Sequence, residues 1–125
     1  MSTFSVSFRN TNDVRILDLH GELDAHTASD LEEAIQECHA AGSVNLLING
    51  KDLQYISSAG LGVFMAYVEE IRDDGGDIKI ANLQPKVYNV FDLLGFPVLF
   101  DICESEDEAL ARFEEPAPDT GDASA

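Results

Sequence analysis

Three observations on this chain predict an α/β fold, with a mixed, mostly parallel sheet of about five strands and about four helices. Short β-rich runs alternate with segments of helical periodicity from Val14 to Phe113. One of those runs, Val44-Asn45-Leu46-Leu47-Ile48-Asn49, is almost wholly apolar, as expected of a central strand buried on both faces. The first two runs have no helix between them, which predicts an antiparallel edge added to a core of right-handed parallel crossovers.

Phe4, Val6 and Phe8 alternate with polar residues and read as a half-buried edge strand; Asn10 to Asp13 is the turn, and Val14 to His20 a second strand closed by Gly21. Thr27-Ala28-Ser29-Asp30 has the form of a capping box with Asp in place of Glu. Leu31, Ala34, Ile35 and Cys38 follow at helical spacing, so a helix should run to about Ala40, ahead of Gly42. After the central strand, Leu61, Phe64, Met65, Val68 and Ile71 form a helical stripe that stops near Asp73-Asp74-Gly75-Gly76, leaving Val63, Tyr67, Glu70 and Arg72 on the other face. Phe64 and Met65 are expected in the core.

Ile78 to Ala81 is a further short strand. Pro85 opens a third helix with Val87, Val90, Phe91 and Leu94 on its apolar face and Gly95 as its stop. Val98 to Ile102 supplies the last strand, and Ser105-Glu106-Asp107-Glu108 is a second capping box leading to a helix with Ala109, Leu110 and Phe113 inward. Beyond Phe113 the large apolar residues give way to Pro, Ala, Asp, Gly and Ser. The expectation is one domain over residues 1–113 and an acidic disordered tail over 114–125.

With 24 acids against 7 basic residues the formal charge is −17, which disfavours nucleic acid and anionic membrane surfaces as partners. A high-salt cytoplasm or a demand for solubility would each favour such a surface. No apolar run approaches the length of a membrane span, and the N-terminal residues lack the pattern of a secretory signal, so a cytoplasmic location is expected. Cys38 and Cys103 have no CxxC spacing and read as reduced core residues.

The chemistry-bearing stretch is Asp52-Leu53-Gln54-Tyr55-Ile56-Ser57-Ser58-Ala59-Gly60-Leu61-Gly62-Val63-Phe64, where two serines separate a strand-like run from a helix. A serine at a helix N-cap accepts from first-turn N–H groups, and a phosphate added there would meet unpaired donors and the positive end of the dipole. Taken with Gly21-Glu22-Leu23-Asp24-Ala25-His26-Thr27, this stretch resembles the STAS domains of bacterial anti-sigma factor antagonists, from about Phe4 to Phe113.

The resemblance implies a STAS fold and places Ser58 on the family's phosphoacceptor position, with Gly60, Leu61 and Gly62 matching its motif. Ala59 replaces a second hydroxyl residue, and Ser57 stands where the family usually has Asp, a residue that could orient the acceptor or contact a kinase. The implied partners are an anti-sigma factor that is itself an ATP-dependent serine kinase, and a serine phosphatase that resets the cycle. Asp24 falls on the family's Asp near the phosphorylation loop. The implied partner-binding set is Asp24, Ser57, Ser58, Gly60, Leu61 and Gly62. No cofactor is implied, since ATP belongs to the kinase.

Each of these residues also has a purely structural reading. Ser58 can be the helix N-cap alone, Ser57 a turn residue or a fallback acceptor, and Asp24 a loop residue that helps start the first helix. Glu22, Asp24 and His26 are alternate residues of one loop with no distant further ligand, a weak metal pattern. Gly60-Leu61-Gly62 completes neither GxGxxG nor a P-loop, and Ser58 is not in GxSxG, so enzymatic activity is not expected. Two other functional classes fit the same domain: a STAS scaffold in a multiprotein signalling or lipid-transport assembly with Ser58 only a cap, and a small-ligand module, which would need a pocket.

Overall fold

A computed structural model describes residues 3–114 of the chain. Of the tail expected over 114–125, Glu114 is instead the last residue of a helix, and 115–125 lie outside the described residues. Strand β1 (Phe4–Thr11) and strand β2 (Val14–Leu23) form the antiparallel pair, turning through Asn12 and Asp13 with Asn12 in the left-handed region that Asn tolerates. Strands β3 (Asn45–Ile56), β4 (Asp77–Ala81) and β5 (Ile102–Cys103) continue the sheet in parallel, in the order β1-β2-β3-β4-β5. The central position expected for the Val44–Asn49 run is the one β3 occupies.

Because the order rises monotonically, right-handed crossovers put the connecting helices on one face. These are α1 (Ala28–Ala40), α2 (Ser58–Asp73), α3 (Pro85–Leu93) and the short α4 (Phe96–Leu99). They close the main core on Leu17, Leu19, Leu46, Ile48, Ile78 and Ile80. Helix α5 (Glu106–Glu114) covers the opposite face, where Val14, Ile16, Leu47, Ala81 and Cys103 meet Ala109, Leu110 and Phe113. Cys38 and Cys103 are both free, buried and in different cores, and burial pushes each thiol's pKa up.

The structure corrects the sequence reading at several points. Val98 to Ile102 is not a strand: Gly95 takes φ 78° after α3, Pro97 sits in the first turn of α4 where its missing N–H costs nothing, and β5 keeps only two residues. Phe96 and Phe100, four apart, stack with ring centroids 5.1 Å apart and so favour a helical turn over the β propensity of the run. Met65 is 44% exposed and Val63 is buried, the reverse of what the helical stripe suggested. Helix α2 leans on α1 along the Val63 side: one turn further on, Tyr67 donates to Glu32 at 2.6 Å and accepts from Gln36 at 2.6 Å. Leu94, the α3 C-cap, is half exposed.

Strand β3 is twice the expected length. Past Asn49 it leaves β4 and continues beside β2 alone, ending on the pairs Glu22↔Tyr55 and Leu23↔Ile56. The ladder shifts register between Asp18 and His20 and again between Gly21 and Glu22, and in that stretch Leu53 and Ile56, three residues apart, are both buried. A period of three hides a strand from a search for alternation.

Arg9 ties α5 to the strand pair β1–β2 on the face that α5 covers. Its guanidinium donates to Asp18 at 2.6 and 2.8 Å and to Glu106 of α5 at 2.7 and 3.1 Å, while Asp18 also accepts from Asn49 at 2.7 Å. The second capping box forms in part: Ser105 Oγ accepts from Glu108 N–H at 3.1 Å, but Glu108 reaches Glu104 N–H, one residue early. The Arg9 hydrogen bond holds the Asp18 carboxyl below the usual range, outweighing its partial burial. Since the folded pKa is depressed, this stabilisation is complete above the unfolded value of about 3.9 and is lost as pH falls through the folded pKa. Urea unfolding over a pH series should therefore show Asp18→Asn less stable than wild type at neutral pH, with the gap narrowing below about pH 4.

Candidate functional site

The long β2–β3 ribbon carries the two serines to its tip. Ser57 leaves β3 with extended backbone (φ −108°, ψ 174°), donates its N–H to Leu23 O at 2.9 Å, and its carbonyl accepts from Leu61 N–H at 3.1 Å, the first bond of α2. Ser57 is therefore the N-cap, and Ser58, expected there, is the first helical residue. The Ser57 side chain makes no capping bond, and its Oγ is buried without a hydrogen-bond partner. Ser58 is exposed. The first turn of α2 has no acidic residue, so the positive end of the helix dipole is uncompensated by its own side chains.

The motif glycines play different parts. A Cβ on Gly60 would lie 2.6 Å from Leu23 Cγ and 3.1 Å from Ile56 Cγ1, so the absence of a side chain there lets α2 seat on the ribbon. A Cβ on Gly62 would meet nothing within 4 Å. Gly62 is exposed, Leu61 is buried, and Ser58, Gly62 and Met65 fall at i, i+4 and i+7 along one face of α2. Tyr55, 51% exposed, is the penultimate residue of the ribbon, three residues before Ser58. The sequence reading placed Met65 in the core and gave Tyr55 no role; the i, i+4, i+7 spacing of Met65 from Ser58 is the signal that sets it on this exposed face instead.

Asp24 organises the neighbouring loop. Its Oδ1 accepts from His26 N–H at 2.8 Å and Thr27 N–H at 3.3 Å, and its carbonyl accepts from Thr27 and Ala28 N–H at 3.1 and 2.8 Å. The capping box expected at Thr27 does not form: the Thr27 hydroxyl turns back, donating to Glu22 O and accepting from Asp24 N–H, both at 2.9 Å. Since Leu23, next to Asp24, bonds Ser57, the structure brings the Asp24 loop and the serine pair together. Among the described residues no group of three or more His, Cys, Asp or Glu is arranged to hold a metal ion, and no helix is long and apolar enough to cross a membrane. An open cleft of about 440 Å³ lies between the start of α3 and β5, lined by Leu83, Pro85, Tyr88, Ile102, Cys103 and Glu104, none of them among the expected site residues.

The STAS domain family model matches residues 5–109. The chain is a member of the STAS domain family. It is 33% identical over 94 residues to an anti-sigma-B factor antagonist of Bacillus subtilis (strain 168), covering 75% of this chain and 84% of that protein. Over 105 residues it is 31% identical to an anti-sigma F factor antagonist of Paenibacillus polymyxa, covering 81% and 87%. The crystal structure of an anti-sigma factor antagonist from Mycobacterium paratuberculosis superposes with a TM-score of 0.82 at 23% identity, over 90% of this chain and 95% of that one, a likeness of fold.

In this STAS domain the two glycines can be separated by experiment. Gly60→Ala overpacks against Leu23 and Ile56 and should cost about 1–3 kcal/mol. Gly62→Ala adds a helix-favouring residue in open space and should gain up to about 1 kcal/mol, in chemical unfolding of both variants beside wild type.

Proposed function

We propose that this chain is an anti-sigma factor antagonist whose unphosphorylated form binds an anti-sigma factor and thereby releases a sigma factor. The anti-sigma factor is itself a serine kinase; it transfers the γ-phosphoryl group of its ATP to Ser58 Oγ, with loss of the hydroxyl proton and release of ADP. A serine phosphatase restores the free hydroxyl. The cycle is cytoplasmic, and the chain is a binding protein that needs no cofactor and catalyses nothing itself. The relatives' names support the antagonist reading, and one observation carries the site: Ser58 is exposed at the first position of a helix whose first turn has neither a side-chain cap nor an acid.

The local physics favours blocking over refolding. A phosphoryl group adds about −1.5 to −2 charges and three acceptor oxygens, which the N–H groups of the first turn and the helix dipole accommodate in place. The same group lies on the face of Gly62 and Met65, where a docked partner would have to desolvate it. Ser57, with its hydroxyl buried, is the poorer acceptor as folded. The tip carrying Asp24, Ser57, Ser58, Gly60, Leu61 and Gly62, extended by Tyr55 and Met65, is the contact surface in this reading, with Gly60 and Leu61 supporting it from within.

A scaffold reading, with Ser58 a structural residue only, draws on Ser57 in place of the usual Asp and on its unbonded hydroxyl. Affinity capture from native lysate with wild type, Ser58→Ala and Ser58→Asp as baits, followed by binding assays on the recovered kinase, separates the two. Antagonism predicts that wild type and Ser58→Ala retain the kinase, that only wild type is phosphorylated by it, and that Ser58→Asp binds roughly a hundredfold more weakly, about 3 kcal/mol. Equal capture by all three baits would establish the scaffold instead.

A further inference from the structure

Among the described residues, the most exposed group of large apolar side chains lies away from Ser58. Leu93 and Val98 are 83% and 89% exposed, with Leu94 and Leu99 half exposed beside them, all within seven residues across the α3–α4 turn. Exposed apolar patches that are not scattered singly mark contact surfaces. The patch sits at the C-terminal end of α2 as well: Arg72, in the last turn of that helix, donates to Leu99 O at 2.7 Å. A 16-residue helix spans about 24 Å, so this surface and Ser58 lie at opposite ends of α2.

The charges on α3 indicate what covers it. Lys86 lies in the first turn and Asp92 near the last, both exposed, and neither makes an ion pair among the described residues. Each stands at the wrong end for its own helix dipole, which favours anions at the N-terminus and cations at the C-terminus. A second α3 laid antiparallel across the first reverses both penalties. Lys86 of one copy then faces Asp92 and the C-terminal end of the other helix, and the same pair repeats by symmetry. The apolar C-terminal end, with Leu93 and Val98, meets Pro85 and the partly exposed Tyr88 at the N-terminal end of the second copy.

We propose that the α3–α4 surface is a two-fold contact with a second copy of this chain, centred on α3 and separate from the Ser58 tip. A contact of this kind is isologous and closes on itself. The apolar area is a few hundred Å² per copy, at the small end for a stable interface, and each copy carries −17, so the dimer is weak and is favoured when salt screens the long-range repulsion. The chain's own residues 115–125 cannot serve as the cover: they contain no large apolar side chain and add further negative charge.

Sedimentation velocity of the full chain over a concentration series at high salt tests this, with circular dichroism to confirm that each variant is folded. Wild type should show a reversible monomer–dimer equilibrium in the micromolar range. Leu93→Glu and Val98→Glu should each weaken it at least tenfold, as should Lys86→Asp and Asp92→Lys singly, and the double variant Lys86→Asp/Asp92→Lys should recover most of the loss. A wild type that remains monomeric at high micromolar concentration overturns the proposal, and so does a dimer indifferent to Leu93→Glu and Val98→Glu. Failure of the double charge reversal to recover association would likewise overturn the antiparallel arrangement. Ser58→Asp should dimerise like wild type, so the result is independent of the antagonist reading.

Discussion

The contact between Gly60 and the end of the β2–β3 ribbon is the constraint on which the candidate site depends. Leu23 and Ile56 close the ribbon as a register pair, and the missing side chain at Gly60 lets the first turn of α2 rest directly on both. Ser57, between ribbon and helix, is held through its backbone, giving its N–H to Leu23 and its carbonyl to Leu61. Ser58 is thereby fixed in direction without any hydrogen bond from its own side chain among the described residues. The modification proposed for Ser58 would be well served by this division, because the frame loses nothing when the side chain changes.

The two serines consequently do different work, although they are adjacent and chemically alike. Ser57 spends its backbone on the fold and leaves a buried hydroxyl unbonded, a condition that costs free energy wherever it occurs and that native proteins keep rare. An Asp at the same N-cap would have offered first-turn N–H groups a charged acceptor and would have placed a negative charge beside the incoming phosphate. With Ser there, the dipole end of α2 is free of competing charge. Under the proposed function, that difference would bear both on how readily Ser58 accepts a phosphoryl group and on how well the phosphate is then held, and the two effects need not run in the same direction.

Much of this architecture was legible in the chain. The apolar run at Leu46-Leu47-Ile48 announced a central parallel strand, and Leu31, Ala34, Ile35 and Cys38 are all buried at the helical spacing that predicted α1. Gly95 ends α3 in the left-handed conformation expected of a stop. What could not be read was set by tertiary contacts: the pairing of Phe96 with Phe100 that turns Val98 into an exposed helical residue, and the register shifts that carry β3 on to Ile56. At the site, the strand-to-helix junction was legible to within one residue. The hydrogen-bonding of Thr27 was not, because its capping pattern is as compatible with the Asp24 turn that forms as with the box that does not.

The surface charge constrains how any switch on this chain can act. Against a background of −17, the two charges of a phosphate barely alter the long-range field, and at physiological salt that field decays over about 8 Å. Four of the seven basic side chains, Arg9, Arg72, Lys79 and Arg112, are already paired with acids, and Lys79 is bound tightly enough by Asp101 and Asp77 that its pKa is raised despite the opposing effect of burial. Little positive charge remains to be recruited by a phosphate at a distance. In the proposed cycle, phosphorylation of Ser58 would therefore work by contact, within reach of the first turns of α2 and the Tyr55 end of the ribbon, through desolvation and local repulsion in a partner's interface. The Leu93–Leu99 patch, at the far end of α2, lies beyond that reach, so the proposed α3–α4 contact would not be opposed at its apolar end by a phosphate on Ser58.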